Sequence, residues 1–227
     1  MSALLEADNV SAGYGGHPVV EGLNLTVEAG QVVALLGANG AGKTTTLMTI
    51  AGELPLVAGE VRVDGVPVES KLYQRARAGL ALVTEDRSVF FQMTVLENLR
   101  AGRCDIAEVV RLFPELERLM KRQAGLLSGG EQQMLSVGRA LARHPKILII
   151  DELSLGLAPM VVVRLLDAVR AAADSGVGVL LVEQHLEQAL RVSDQAYVLR
   201  RGTVAFSGSA EDMRQRRDEI EDSYLQA

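Results

Sequence analysis

The order of apolar and polar residues along the chain predicts strands first and helices later. The first third alternates short apolar runs with glycine-containing turns, which is typical of strands. These runs cover residues 4–10, 19–27, 32–36 and 60–63. From residue 94 to residue 143, apolar side chains recur every three or four positions, which predicts helices.

Two later segments, residues 146–150 and 177–182, are continuous apolar runs between helical stretches. Such runs indicate parallel strands that are covered on both faces. Residues 195–207 predict a hairpin that turns at Arg201, and an amphipathic helix is expected from Ala210. The pattern therefore predicts an α/β fold with a mostly parallel core sheet, an antiparallel β subdomain at the front and a small helical subdomain.

Composition narrows the classes of function. The chain has 227 residues, and its 29 acidic and 23 basic side chains give a net charge of −6. Nucleic-acid binding relies on clustered Lys and Arg, so this balance disfavours nucleic acid as a partner. No linker-like segment or internal repeat interrupts the sequence, which predicts a single domain over residues 1–227, with its helical subdomain at approximately residues 90–145.

Neither a membrane span nor an export signal is predicted. A spanning helix needs roughly 18–20 consecutive apolar residues, and the apolar runs here are far shorter. The start of the chain is acidic, unlike the basic and then apolar order of a signal peptide. The single cysteine, Cys104, cannot form an internal disulfide, which fits a reducing compartment. We therefore expect a cytoplasmic protein.

The strongest motif lies between the predicted strand 32–36 and a helical pattern that starts at Thr44. Eight residues there fit the phosphate-loop pattern G-x-x-x-x-G-K-[ST]. In such loops backbone N–H groups converge on phosphate oxygens, the lysine reaches the β- and γ-phosphates, and the hydroxyl ligates Mg²⁺. The predicted nucleotide-binding residues are Gly37, Ala38, Asn39, Gly40, Ala41, Gly42, Lys43, Thr44 and Thr45. The alternative is a glycine-rich turn with a surface lysine, which the flanking strand and helix disfavour.

Two adjacent carboxylates, Asp151 and Glu152, follow the apolar run 147–150. Side chains alternate along a strand, so the two carboxylates point in different directions. This predicts that Asp151 faces the magnesium ion and that Glu152 orients or deprotonates the attacking water. The alternative, an acidic start of a helix after a strand, is weakened by the phosphate loop.

A second glycine-rich helix start is formed by Ser128, Gly129, Gly130 and Glu131. A hydroxyl, unobstructed N–H groups and the positive end of a helix make an anion-binding site. One nucleotide has little need of two phosphate cradles, so the economical arrangement is a dimer in which this cradle closes over the ATP of the other chain. Taken alone, the same residues also fit an ordinary helix N-cap.

Residues 127–131, Leu-Ser-Gly-Gly-Glu, resemble the LSGGQ signature of the ATP-binding cassette (ABC) ATPases, and the resemblance covers nearly the whole chain. It implies the ABC ATPase fold within the P-loop NTPases. It further implies that Tyr14 stacks on adenine, a contact worth roughly 1–3 kcal/mol. By the same resemblance, residues 154–157 are the D-loop and His185 is the switch histidine that contacts the γ-phosphate. Lys43, Glu152 and His185 are then the expected catalytic residues.

A narrower resemblance is to the LivF-type ATPases of branched-chain amino-acid importers. It is carried by residues 38–42, 128–134, 154–159, 181–184 and 224–225. It implies an ATPase that uses ATP and Mg²⁺ and pairs with a second ABC ATPase subunit, identical or different. Two membrane permease subunits and an extracytoplasmic solute-binding protein complete the implied assembly, which holds the chain peripherally on the inner face of the membrane. The ATPases of urea and amide importers share many of these sequence motifs, so urea and amides are the alternative solutes.

Three departures from the family pattern change the expectations. Glu85 stands where most cassettes have the Q-loop glutamine, and we assign it to the metal side of the site or to coupling. Leu153 replaces the usual proline after Glu152, which is expected to loosen the backbone that aims this carboxylate. Residues 100–124 form a shorter insertion than LivF-like chains usually have, so the permease interface is expected to differ.

Glu85 and Leu153 leave a second class of function open, a nucleotide-gated regulatory module that clamps on ATP with little or no hydrolysis. A steady-state ATPase assay with Mg²⁺ separates the two classes. A third class, the DNA-maintenance ABC proteins, is disfavoured because 227 residues leave no room for a long coiled-coil insertion or added DNA-binding domains.

Overall fold

The computed structural model describes residues 3–68 and 71–225. The ends of the predicted domain, residues 1–2 and 226–227, lie outside the described residues. The strands are β1 (Ala3–Tyr14), β2 (His17–Glu28), β3 (Val32–Gly37), β4 (Leu56–Val63), β5 (Val66–Pro67), β6 (Leu80–Val83), β7 (Ile147–Asp151), β8 (Gly178–Glu183), β9 (Gln195–Arg200) and β10 (Thr203–Ser209). The helices are α1 (Lys43–Ala51), α2 (Leu72–Arg77), α3 (Val95–Ala101), α4 (Ile106–Leu112), α5 (Gly129–Leu141), α6 (Pro159–Asp174), α7 (Leu186–Val192), α8 (Ala210–Gln215) and α9 (Arg217–Leu225), with 3₁₀ turns at Pro114–Leu119 and Ala124–Leu126.

The larger sheet has six strands in the order β10-β9-β3-β8-β7-β6. All pairs in it are parallel except β9 with β10, which form the predicted hairpin. Every residue of β3, β7 and β8 is buried. Helices cover both faces of such a sheet, which is why these strands are continuous apolar runs.

The smaller sheet has four antiparallel strands in the order β2-β1-β4-β5. Buried residues are interspersed with exposed ones along β2, and the buried side chains are those of Val20, Leu23, Leu25 and Val27. These side chains share one hydrophobic cluster with one face of the parallel sheet and with α1. The antiparallel sheet is thereby packed beside the start of α1, where the phosphate-loop motif lies.

A second hydrophobic cluster lies on the other face of the parallel sheet. It joins the sheet to α3, α4, α5, α6 and α7 and has the fully buried Phe113 as its largest side chain. The predicted strands, the helical segment between residues 94 and 143 and the mostly parallel core sheet are present.

Two local predictions differ from the structure. The helix expected from Ala210 is divided into α8 and α9. Arg216 lies between them, with φ of −101° and ψ of 19°, outside the range of an α-helix. Helix α2 was not predicted, since its six residues lack an apolar period and bury only Arg75. None of the helices in residues 3–68 and 71–225 has both the length and the apolar character that a membrane span requires.

Candidate active site

The proposed site residues follow three neighbouring parallel strands. β8 lies between β3 and β7, with Leu36 opposite Glu183 and Asp151 opposite Val182. The segments after these strands therefore meet at the same edge of the sheet, where ligands bind in open α/β folds. They carry the phosphate loop, the Asp151–Glu152 pair and His185.

The phosphate loop is fixed by its glycines and by Lys43. Gly42 precedes α1 with φ of 104°, a left-handed conformation that side chains disfavour. A Cβ on Gly42 would also lie 2.4 Å from Cγ2 of Val20 on the antiparallel sheet. Lys43 is buried, and its Nζ donates to the carbonyl oxygens of Gly37 at 3.0 Å and Ala38 at 3.3 Å. The first turn of α1 carries no side-chain cap, so its N–H groups face the loop without a competing acceptor.

Asp151 is positioned across from the first turn of α1. The Thr44 hydroxyl donates to Oδ2 of Asp151 at 3.5 Å, while Oδ1 is buried without a hydrogen-bond partner among the described residues. Burial, with the nearby carboxylates of Glu152 and Glu85, raises the pKa of Asp151 to about 6, against the opposing effects of Lys43 and Thr44. A buried carboxylate with a raised pKa and a free oxygen is a group that a cation would stabilise.

Magnesium fits this donor set. Mg²⁺ prefers oxygen ligands and is usually held by one or two carboxylates together with waters and substrate phosphates. Thr44 and Asp151 supply two such oxygens. Among the described residues no three acidic, histidine or cysteine side chains form a metal cage. Glu85 is exposed and influences Asp151 through its charge.

Glu152 has an unusual backbone. Its φ is 46°, which is left-handed and uncommon for a residue with a side chain. Its N–H donates to the carbonyl oxygen of Val182 at 2.9 Å, and its carboxylate lies 3.6 Å from Lys43 Nζ. Leu153 is buried in the core cluster beside it. A proline at this position would push Glu152 towards an extended φ, because the proline ring crowds the residue before it.

The second cradle begins at Ser128, the N-cap of α5. The Ser128 hydroxyl accepts from the N–H of Glu131 at 3.3 Å, and the Glu131 carboxylate accepts from the N–H of Ser128 at 2.8 Å. This reciprocal capping box has the sequence signature Ser-x-x-Glu, so the ordinary N-cap described above is present. The N–H groups of Gly129 and Gly130 belong to the first helical turn and have no acceptor within the helix.

Arg87 is a neighbour of this cradle that the sequence analysis missed. It lies in the segment after β6, and its Nη1 donates to Oε1 of Gln132 at 3.1 Å. Its guanidinium lies 3.3 Å from the position that a Cβ on Gly129 would take. No acidic partner is found for Arg87 among the described residues. A cation at the positive end of a helix is unfavourable unless an anion lies nearby.

Tyr14 and His185 lie at the rim of the site. Tyr14 ends β1 opposite His17 and is 57% exposed, on the antiparallel sheet that contacts Gly42 through Val20. His185 is exposed at the start of α7, two residues beyond β8. An exposed aromatic side chain is available to stack on a planar base, and an exposed imidazole is available for hydrogen bonding.

The phosphate loop, the paired carboxylates and the doubly covered sheet define a P-loop ATPase of the ATP-binding-cassette class. The sequence pattern of the family described as "ABC transporter" matches residues 20–154. The chain belongs to that family, and the prediction that it is an ATPase is confirmed.

Three relatives align over most of the chain. It is 40% identical to BraG of Pseudomonas aeruginosa, a high-affinity branched-chain amino acid transport ATP-binding protein, covering 88% of this chain and 91% of BraG. It is 35% identical to the probable branched-chain amino acid transport protein LivF of Archaeoglobus fulgidus, covering 92% and 94%. It is 34% identical to the lipopolysaccharide export protein LptB of Escherichia coli, covering 94% and 93%. The LivF-like resemblance is thereby confirmed.

Solved structures give the same fold. The ATP-binding subunit of an ABC transporter superposes with a TM-score of 0.82 at 30% identity and covers 98% of both chains. A cassette in its ADP conformation superposes with a TM-score of 0.89 at 24% identity and covers 99% of both chains.

Proposed function

We propose that this chain is the ATP-hydrolysing subunit of an importer for branched-chain amino acids. The observation that carries the proposal is the meeting of Lys43, Asp151 and Glu152 at the carboxyl edge of the parallel sheet, where Lys43 Nζ and Glu152 are 3.6 Å apart. A lysine for the phosphates, a carboxylate for the metal and a carboxylate for water are the three groups that phosphoryl transfer to water needs.

In the proposed mechanism, the N–H groups of residues 37–45 and the Lys43 ammonium bind the phosphates. Thr44 and Asp151 would hold Mg²⁺, which supplies positive charge to the β- and γ-phosphates. Glu152 accepts a proton from the attacking water or orients it in line with the γ-phosphate. His185, on the neighbouring loop, donates a hydrogen bond to that phosphate. Tyr14 stacks on the adenine, and Glu85 acts at the metal side.

The second cradle supports a dimer. Ser128, Gly129, Gly130 and Glu131 lack a lysine and paired carboxylates of their own, so by themselves they form only part of a phosphate site. We propose that they close over the nucleotide of a second cassette, identical or different, as the sequence resemblance implies. The cation of Arg87 at this helix start favours the approach of an anionic partner group.

A groove beside β6 supports binding of a permease. It has a volume of about 510 Å³ and runs between α2, β6 and α5. Its lining includes the basic residues Arg77, Arg139 and Arg143. Nearby, Phe90 and Phe91 are about half exposed. We propose that two permease subunits dock in the grooves of a dimer and hold it at the inner face of the membrane.

The solute and the direction of transport rest on the relatives. BraG and LivF are named for branched-chain amino acids. Of the three relatives described, BraG has the highest sequence identity with this chain. LptB is named for export of lipopolysaccharide and is also 34% identical. An importer would work with an extracytoplasmic solute-binding protein, and urea or amides are the alternative solutes.

Steady-state release of phosphate from ATP with Mg²⁺ tests the enzymatic part. The parent should turn over ATP, and Glu152→Gln should lower kcat at least about 100-fold while nucleotide binding is kept. Glu53→Gln, at a carboxylate far from the paired acids, is a matched control that should keep the parental rate. Absence of turnover in the parent, alone and with permeases, would instead favour the nucleotide-gated module that Glu85 and Leu153 suggest.

The transport part is tested by purifying the chain with two permease subunits and a solute-binding protein, sought among the neighbouring genes, and reconstituting the assembly in vesicles. ATP-dependent accumulation of labelled leucine, isoleucine or valine is the expected result. Accumulation of urea or an amide would change the solute, and ATP-driven movement in the opposite direction would refute import.

A further inference from the structure

Glu183 is a buried carboxylate that the mechanism above does not use. It is the last residue of β8, two positions before His185, and only 2% of its surface is exposed. A charged group in such a place is costly unless donors surround it. Its role therefore has to be sought in the groups that it binds.

Three donors point at this carboxylate. Oε1 accepts from the backbone N–H of Ser154 at 3.0 Å. Oε2 accepts from the Ser154 hydroxyl at 3.0 Å and from the backbone N–H of Gln184 at 3.2 Å. One carboxylate thus connects the loop that follows Glu152 with the turn that leads to His185.

The Glu152 loop needs such an anchor. Glu152 has a φ of 46°, and residues with side chains keep left-handed conformations only where the surroundings fix them. The Glu152 N–H is bound to the carbonyl oxygen of Val182, and the Ser154 N–H is bound to Glu183. Two consecutive residues of β8 therefore fix the loop at positions 152 and 154, on both sides of Leu153.

We infer that Glu183 is a positioning residue for hydrolysis, which holds Glu152 and His185 in a fixed relation through Ser154 and Gln184. This inference rests on the proposed roles of Glu152 and His185. It assigns to Glu183 no contact with nucleotide and no proton transfer. Its effect should therefore fall on the rate of the chemical step and leave nucleotide binding nearly unchanged.

Glu183→Gln is the sharpest variant, because it keeps the shape of the side chain. An amide nitrogen cannot accept a hydrogen bond. One carboxylate oxygen faces the N–H of Ser154 and the other faces the N–H of Gln184, so either orientation of the new amide sets its NH₂ group against a backbone N–H. We expect kcat for ATP to fall about tenfold with KM changed less than about twofold.

Ser154→Ala is the second variant and removes only the hydroxyl donor, so it should fold even if Glu183→Gln does not. We expect about a threefold fall in kcat, restored by Ser154→Thr, which keeps the hydroxyl. Because both variants break the same connection, the double variant should be no slower than Glu183→Gln alone. Thermal unfolding is recorded for every variant.

Matched controls separate positioning from loss of stability. Ser193→Ala removes another buried serine hydroxyl, which donates to Ala189 at 2.8 Å away from the site. Asp194→Asn alters a carboxylate that accepts from the Val32 N–H at 2.8 Å, at the opposite end of β3. Both should lower stability without a selective fall in kcat.

An unchanged kcat in folded Glu183→Gln and Ser154→Ala would overturn the inference. So would a double variant whose fall in kcat equals the product of the falls in the two single variants. So would an effect confined to KM. If Glu152→Gln abolishes turnover while the Glu183 variants do not affect it, the proposed function stands and this inference fails. If Glu152→Gln also keeps the parental rate, the assigned role of Glu152 fails first and the inference fails with it.

Discussion

The helix starts at Gly42 and Ser128 are both glycine-rich, yet they are built differently. At α1 the cradle has no side-chain cap, includes a buried lysine and faces Asp151 and Glu152 of the same chain. At α5 the first turn is closed by the capping box of Ser128 and Glu131, and Arg87 is the neighbouring cation.

The difference shows what turns a helix N-terminus into a reaction site. Both helices offer free N–H groups and the positive end of a dipole. The α1 cradle also has Asp151 and Glu152 within reach, to which we assign metal binding and the orientation of water. For the α5 cradle we propose anion binding alone, so we expect substitutions at the two cradles to affect different measurements.

The largest effect is expected at Lys43. Lys43→Met removes the ammonium that the phosphates would bind, and a lost charge-assisted contact of this kind should weaken ATP binding by the isolated chain about 100-fold. Titration with a fluorescent ATP analogue measures this. The control is Lys146→Met, at an exposed lysine that pairs with Asp64. Equal affinities for parent and Lys43→Met would show that α1 is not the primary cradle.

The glycines of the two cradles should respond differently to a compensating change. A Cβ on Gly130 would lie 2.8 Å from Cγ1 of Val161, so Gly130→Ala should lower the free energy of unfolding by about 1–3 kcal/mol through overpacking. Adding Val161→Ala should restore most of this stability. Gly42→Ala should not be rescued by Val20→Ala, because its φ of 104° stays strained. Urea denaturation measures the free energy of unfolding of the two glycine variants and of the two double variants. Equal recovery of stability at both sites would contradict the difference between the cradles.

A smaller effect is expected at Arg87. Arg87→Met removes the cation beside the α5 cradle, which should lower kcat about fivefold and leave nucleotide binding by the isolated chain unchanged. Arg87→Lys should keep part of the rate, since it keeps the charge. A fall in the affinity of the isolated chain equal to the fall in kcat would assign Arg87 to the first cradle instead.

The smallest effect is expected for the capping box. Ser128→Ala removes the acceptor for the Glu131 N–H, which typically costs about 1 kcal/mol and lowers Tm by about 2–4 °C in a chain of this size. Thr94→Ala removes the equivalent cap of α3, where the Thr94 hydroxyl accepts from Glu97, and serves as the control. A larger loss of ATPase rate in Ser128→Ala than in Thr94→Ala, at similar Tm, would add a direct role for the Ser128 hydroxyl.

The sheet and the phosphate loop could be predicted because their signals are local. Buried parallel strands are continuous apolar runs, and the spacing of Gly37, Gly42 and Lys43 defines its own loop. The sequence offered an ordinary N-cap at Ser128, and the structure adds Glu131 as its partner in a capping box. Arg87 with Gln132, 45 residues apart, and Ser154 with Glu183, 29 residues apart, could not be predicted. Such contacts depend on how separate loops pack, and neither partner belongs to a periodic pattern.

The proposed closure of the α5 cradle over the nucleotide of another chain has a genetic consequence. If two different cassettes pair in the cell, a defect at Ser128 or Gly130 would stop hydrolysis of the nucleotide bound to the partner, whereas a defect at Lys43 would stop hydrolysis of the nucleotide bound to this chain. If the chain instead pairs with itself, two alleles of this gene, one damaged in each cradle, could complement each other. A mixed pair would retain one intact site, formed by the undamaged α1 cradle of one chain and the undamaged α5 cradle of the other. Complementation between such alleles would therefore distinguish self-pairing from pairing with a second gene product.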